Sequence, residues 1–185
     1  MRDVGGDGHR YCPLYCEENV WQLCDDPTVP AGPRAAVFIS NRSRQVAVAY
    51  QRASPIPEAP IVWDYHVVMA LRRASAWEIW DLDSTLGLGV DLETWIDRVF
   101  GGREGFGVPH DPTFRVIEAG LYRETLSTDR SHMPEGPRPP WPRIGTGASN
   151  LMGMVAMEGT AVGDVVAAQG LAAALDRAVK QTDCA

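Results

Sequence analysis

The residues best suited to nucleophilic chemistry are the cysteines of YCPLYCEENVWQLC, Cys12, Cys16 and Cys24, and the histidines His9, His66, His110 and His132. A cysteine attacks as its thiolate, so it needs a base within reach and a further group that holds the base in one orientation. Cys16 is followed by Glu17-Glu18-Asn19-Val20, where two acids and the helically spaced Val20, Leu23 and Cys24 predict a short helix over 17–24. Unpaired N–H groups and the positive dipole end at such a helix start would lower the pKa of Cys16 and offer donors to an oxyanion. Cys24 falls on the apolar side and reads as a small buried hydrophobe. A metal reading would join Cys12, Cys16 and Cys24 to His9 or His66, but C-x3-C-x7-C is not the paired CxxC spacing of a structural zinc site.

Among the bases, His9 belongs to a glycine-containing arm over 1–10 that is expected to be flexible, and His110 stands in a proline-flanked loop. His132 is also in a loop. His66 lies within IVWDYHVVMAL, residues 61–71, a β-branched and aromatic run of strand character that would hold an imidazole rigidly. Asp81 and Asp83, in WDLDS on the next short strand, point the same way by period two, and either can accept the second imidazole N–H. A strand histidine is commonly just a satisfied core residue. The order Cys, His, Asp on helix, strand and strand is equally that of a papain-like or transglutaminase-like thiol site, and spacing leaves both readings open.

The elements that must position these groups follow from local pattern. Residues 35–40, AAVFIS, predict a strand, with 41–44 as a turn and 45–50 as its hairpin partner. After the proline-punctuated ASPIPEAP come the strands over 61–71 and 77–81. DLETWIDRVFGG carries Leu92, Trp95, Ile96, Val99 and Phe100 on one helical face, with Asp91 as cap and Gly101 as stop. A strand over 113–119 precedes a proline-rich loop, irregular from 133 to 143. A short helix near 151–157 and a final helix over 163–180 complete the set. This order predicts an α+β fold, with the N-terminal catalytic helix packed on an antiparallel sheet and further helices around it.

The chain has 185 residues, 45% hydrophobic and 22% charged, which fits one soluble globular domain over 1–185. Its net charge of −7 is spread without a basic stripe, which argues against nucleic acid as a partner. No stretch approaches the ~18 apolar residues of a membrane span. The start lacks a secretory pattern, so a cytoplasmic location is expected, where cysteines, Cys184 included, stay as thiols. Lys180 is the only lysine among 17 basic residues, a bias that hints at a bacterial source. Oligomeric state is not legible.

Four ordered segments resemble the protein N-terminal glutamine amidohydrolase family: Tyr15-Cys16-Glu17-Glu18-Asn19, Trp63-Asp64-Tyr65-His66-Val67, Asp81-Leu82-Asp83-Ser84 and Thr128-Asp129-Arg130-Ser131-His132-Met133. The resemblance implies a papain- and transglutaminase-like thiol-hydrolase fold and conversion of a peptide's or protein's N-terminal glutamine to glutamate with release of ammonia. It implies Cys16 as nucleophile, His66 as base and Asp81 as orienting acid, through a thioester, with no metal or organic cofactor. Recognition of a free α-ammonium calls for an anionic or carbonyl partner, and Glu17, Asp64 and Asp129 are the nearest acids. Ser131 and His132 are candidates to line the cleft, while Arg130 is as well suited to anchoring the loop. Two other functions use the same residues: deamidation or transglutaminase-like transfer on another amide, and an inactive module that binds amino-terminal residues.

Overall fold

The computed structural model describes residues 8–101, 106–107, 109–133 and 135–180, so Cys184 lies outside the described residues. Along the chain run α1 (Cys16–Leu23), β1 (Arg34–Ser40), β2 (Val46–Val48), β3 (Ile61–Trp63), β4 (His66–Arg73), β5 (Ala76–Trp80) and β6 (Val90–Asp91). They are followed by α2 (Leu92–Phe100), β7 (Thr113–Glu118), α3 (Ala119–Thr125), α4 (Leu151–Val155), β8 (Asp164–Val166) and α5 (Leu171–Lys180).

The apolar β1 is buried on both faces and paired on both edges. It runs antiparallel to β4, from Arg34 opposite Leu71 to Ile39 opposite His66, and antiparallel to β7, from Ala35 opposite Glu118 to Ser40 opposite Thr113. The resulting antiparallel sheet has the order β6-β5-β4-β1-β7-β8. Alternation along each strand divides the core in two. Ala36, Phe38, Val67, Met69 and Ile117 meet Val20 and Leu23 of α1, Tyr122 of α3 and Leu151 of α4. Val37, Ile39, Val68, Ile79 and Val116 meet Trp95 and Val99 of α2 and Leu171 and Leu175 of α5. The fold is therefore α+β, with helices on both faces of an antiparallel sheet. Among the described residues no helix is long and apolar enough to cross a membrane.

Several expectations are corrected. The hairpin of 35–40 with 45–50 does not form, because both edges of β1 are taken by β4 and β7; β2 pairs instead with β3 in a separate two-stranded sheet. Asn41 steers the chain away, its amide donating to the carbonyls of Gln45 and Pro109. The run 61–71 is two strands. Asp64 breaks it by accepting the Tyr65 N–H on its own carboxylate at 3.0 Å, while Ser40 Oγ donates to the Asp64 carbonyl at 2.6 Å.

The expected helix over 163–180 begins only at Leu171. Gly163, at φ +92°, turns the chain so that β8 can pair with β7, and a Cβ there would stand 2.3 Å from the Val116 carbonyl oxygen. The helix α3 was not legible: it is short, glycine-containing and capped by Glu118, whose carboxylate accepts the Leu121 N–H. The end of the N-terminal arm is docked rather than loose, since His9 Nδ1 is 2.9 Å from Asp26 Oδ2 and Arg10 donates to Gln22.

Candidate active site

Cys16 is the first residue of α1, after the buried Tyr15, which provides no side-chain cap. The approach to the helix is fixed by Asn19, whose side chain accepts the Cys12 N–H at 2.8 Å and donates to the Cys12 carbonyl at 2.9 Å. Within that loop Leu14 adopts φ +69°, a costly conformation for a branched side chain, and stands exposed beside the cleft. A helix start of this kind leaves the first-turn N–H groups without intrahelical acceptors.

The two acids after Cys16 are not a solvated helix start. Glu17 and Glu18 are fully buried. Arg130 clasps Glu18 with two hydrogen bonds of 2.8 Å, and Trp141 Nε1 adds a third at 2.7 Å. Glu17 accepts from Tyr65 OH at 3.0 Å, lies 3.8 Å from Cys16 Sγ and places Oε1 3.2 Å from His132 Nε2. Burial pushes the Cys16 thiol well above its ordinary value, Glu17 and Asp83 push the same way, and the Val67 N–H bonded to the sulfur opposes them. Desolvation and neighbouring carboxylates thus act against the depression expected from the helix start.

His66 opens β4, next to Val67, and Asp81 directly follows β5. The register of β4 with β5 sets Met69 opposite Trp80, so position 66 and position 81 lie on one face, a diagonal step apart. Both side chains are buried, and His66 Nε2 is 2.9 Å from Asp81 Oδ1. Burial alone would raise the Asp81 pKa, but His66, the Asp83 N–H and Gln51 together hold it below the usual carboxylate range. An ionised carboxylate can only accept, so Nε2 is the donor and the His66 lone pair resides on Nδ1. Burial acts to lower the His66 pKa, yet Asp81 and Asp83 leave it raised.

Cys16 and His66 open onto one cavity of about 320 Å³, whose polar wall includes Tyr11, Asp64, Asp83 and His132. Its apolar wall includes Pro13, Leu14 and Met133. Of the sequence candidates for substrate binding, Asp64 and His132 are on this wall, while the Glu17 carboxylate lies behind it. Asp129 and Ser131 are exposed and outside it, and they bond each other, with Ser131 Oγ donating to Asp129 at 2.6 Å. Asp83, which spacing offered beside Asp81 as an acceptor for the imidazole, accepts from Tyr11 OH.

Gln51 was missed altogether. Its Nε2 donates to Asp81 Oδ2 at 3.1 Å, from a loop that a lone bridge to Ser84 holds against the WDLDS turn, and no local pattern announces it. Among the described residues, the one group of three metal-type ligand atoms that converges is His66, Asp81 and Asp83, not the cysteines. Cys12, Cys16 and Cys24 stand as thiols.

The profile of the N-terminal glutamine amidase family matches residues 11–175, a span that contains every cavity residue named above. The chain belongs to this family. A human protein is 35% identical over 162 residues, covering 80% of this chain and 78% of the relative. One from Drosophila pseudoobscura pseudoobscura is 36% identical over 145 residues, covering 72% and 71%. One from Arabidopsis thaliana is 32% identical over 135 residues, covering 68% and 61%. Each is named protein N-terminal glutamine amidohydrolase. All three are eukaryotic, so the comparison lends no support to the bacterial origin suggested by composition. The family match runs past Met133, where the last of the four resembling segments ends, into α5.

Proposed function

We propose that the protein hydrolyses the side-chain amide of an N-terminal glutamine in a peptide or protein, through a triad of Cys16, His66 and Asp81. The observation that carries this reading is the His66–Asp81 bond. It fixes Nε2 as donor and leaves Nδ1 basic in a cavity that also holds the Cys16 thiol. Membership of the amidase family supports the choice of substrate. The helix bearing the nucleophile, packed on an antiparallel sheet with the base on β4 and the acid just past the end of β5, supports the papain- and transglutaminase-like comparison.

The chemistry balances as follows. Cys16 Sγ attacks the glutamine side-chain carbonyl as its proton passes to His66 Nδ1. The oxyanion is met by N–H groups at the start of α1. Collapse breaks the C–N bond, and ammonia leaves with the proton from His66. Water then adds to the thioester, His66 takes its proton, and glutamate departs as the thiol is restored. Asp81 stabilises the imidazolium at each step and remains ionised. Two carboxylates on the cavity wall, Asp64 and Asp83, are available to a substrate α-ammonium. A reducing cytoplasm would keep the thiol competent.

The test is ammonia release from peptides beginning with glutamine, against peptides that begin with asparagine, carry internal glutamine or have an acetylated N-terminal glutamine. Release from the first alone is expected. Amine-dependent product without glutamate would point to acyl transfer, and binding without product to an inactive module; either would overturn the hydrolase reading.

A further inference from the structure

The mechanism above leaves Glu17 and His132 unused, although Glu17 touches the nucleophile's environment more closely than any other acid. Its carboxylate is sealed from solvent, with Oε2 accepting from Tyr65 OH at 3.0 Å and lying 3.8 Å from Cys16 Sγ. Tyr122 OH donates to the Glu17 backbone carbonyl at 2.7 Å, which anchors the main chain of this first turn. A fixed buried carboxylate at this range opposes the thiolate that the reaction needs. Among the described residues its one cationic partner is His132, 3.2 Å from Oε1. Both Oε1 and His132 Nε2 are shut off from water, and their alignment falls outside hydrogen-bond geometry, so each depends on the other's charge.

The second acid repeats the arrangement. Glu18 takes Arg130 from the same loop, so two consecutive helix acids each receive a cation from residues two apart in the segment Thr128-Asp129-Arg130-Ser131-His132. The loop's docking on α1 therefore brings His132 to Glu17 as a single event. We propose that this pair sets the acidity of the nucleophile: the His132 imidazolium cancels the Glu17 carboxylate, which orients the thiol but would otherwise keep it protonated. His132 acts through Glu17 and is a positioning residue.

Other charges face the same place. Around Cys16 stand Glu17, Asp81 and Asp83, with His66 and Tyr65. Around His132 stand Glu17, Glu18 and Asp64, with the rings of Tyr15 and Tyr65. Glu17 holds the His132 imidazole above its ordinary value against the opposing effect of burial.

The inference rests on Cys16 as the nucleophile but not on glutamine as the substrate, so the test uses no substrate. The alkylation rate of Cys16 by iodoacetamide is followed against pH by peptide mapping, which separates it from the other thiols. His132→Asn is expected to move the profile to higher pH and slow alkylation at neutral pH by about tenfold, one pKa unit being a factor of ten. Glu17→Gln is expected to move it to lower pH, and combined with His132→Asn to restore the neutral-pH rate. His132→Lys, which keeps the cation, should stay near the parent profile. A His132→Asn profile that does not move, or a double variant as slow as His132→Asn, overturns the proposal. Should His132→Asn fail to fold by circular dichroism, Glu17→Gln decides alone, and a profile unmoved or moved to higher pH overturns it. Loss of ammonia release with these profiles intact would instead count against the amidase reading.

Discussion

Replacing Asp81 by asparagine removes a charge while nearly preserving the local bonding. Asp81 Oδ1 accepts from His66 Nε2 and the Asp83 N–H, and Oδ2 accepts from Gln51 Nε2 at 3.1 Å. The amide oxygen can keep the first two bonds, and the new NH₂ can be met by Gln51 Oε1, now buried without a partner, once that amide turns over. Folding stability should therefore fall by only about 1 kcal/mol, the net scale of one imperfect hydrogen bond. Activity should fall much more. At the observed 2.9 Å, and an effective dielectric of about 20, a carboxylate stabilises an imidazolium by about 6 kcal/mol. Even if half to three-quarters of this is realised in the transition state, the loss is about 3–4.5 kcal/mol, or roughly 10²–10³ in kcat. The assay is coupled detection of ammonia from a glutamine-initiated peptide, with a thermal melt of the same sample. A variant within tenfold of the parent across pH would refute the assignment of Asp81, and an unfolded variant in the melt would refute the small stability cost.

Further consequences concern stability, pH and binding. Arg130→Met strips the bidentate partner from the fully buried Glu18 and should cost about 3–5 kcal/mol, read as a lower urea midpoint. Because Asp81 raises the His66 pKa and the base must be neutral to act, the acid limb of kcat/KM should have its midpoint above the ordinary imidazole value of about 6.5. Asp81→Asn should bring that midpoint down. In unfolding experiments, the raised His66 contributes stability that is complete below about pH 6.5 and lost as pH rises through the folded value. The lowered Asp81 contributes stability that is complete above about pH 4 and lost as pH falls through its folded value. Asp64→Asn, at the exposed wall of the cavity, should raise KM about tenfold with kcat nearly unchanged, the scale of one charge-assisted hydrogen bond to the substrate ammonium.

Legibility in the sequence followed the range of the interactions. Helix α2 could be read almost whole, because its Asp91 cap, its apolar face and the left-handed Gly101 are all within one short segment. The alternation that places His66 and Asp81 on one face is likewise local to two neighbouring strands. Spacing did not choose between Asp81 and Asp83; resemblance did, and in the structure His66 Nε2 lies 2.9 Å from Asp81 Oδ1. Failures came where a distant partner decides. Strand β2 reads as the mate of β1 until β7 is known to hold that edge. Residues 164–166 read as helix until the free edge of β7 receives them as a strand. Glu17 and Glu18 read as no more than helix-start acids because His132, Arg130 and Trp141 arrive from far along the chain. Gln51 gave no signal, since a lone glutamine in a loop is unremarkable until Asp81 stands beside it.

The central claim is that Cys16 forms a thioester with the side-chain carbonyl of an N-terminal glutamine. Its most direct test is acid quenching of the enzyme during turnover of such a peptide, followed by mass analysis of the digested protein. The account predicts an adduct equal to the substrate less ammonia on the segment carrying Cys16, absent from Cys16→Ala, which also releases no ammonia. Turnover by Cys16→Ala, or an adduct on any other residue, would contradict it.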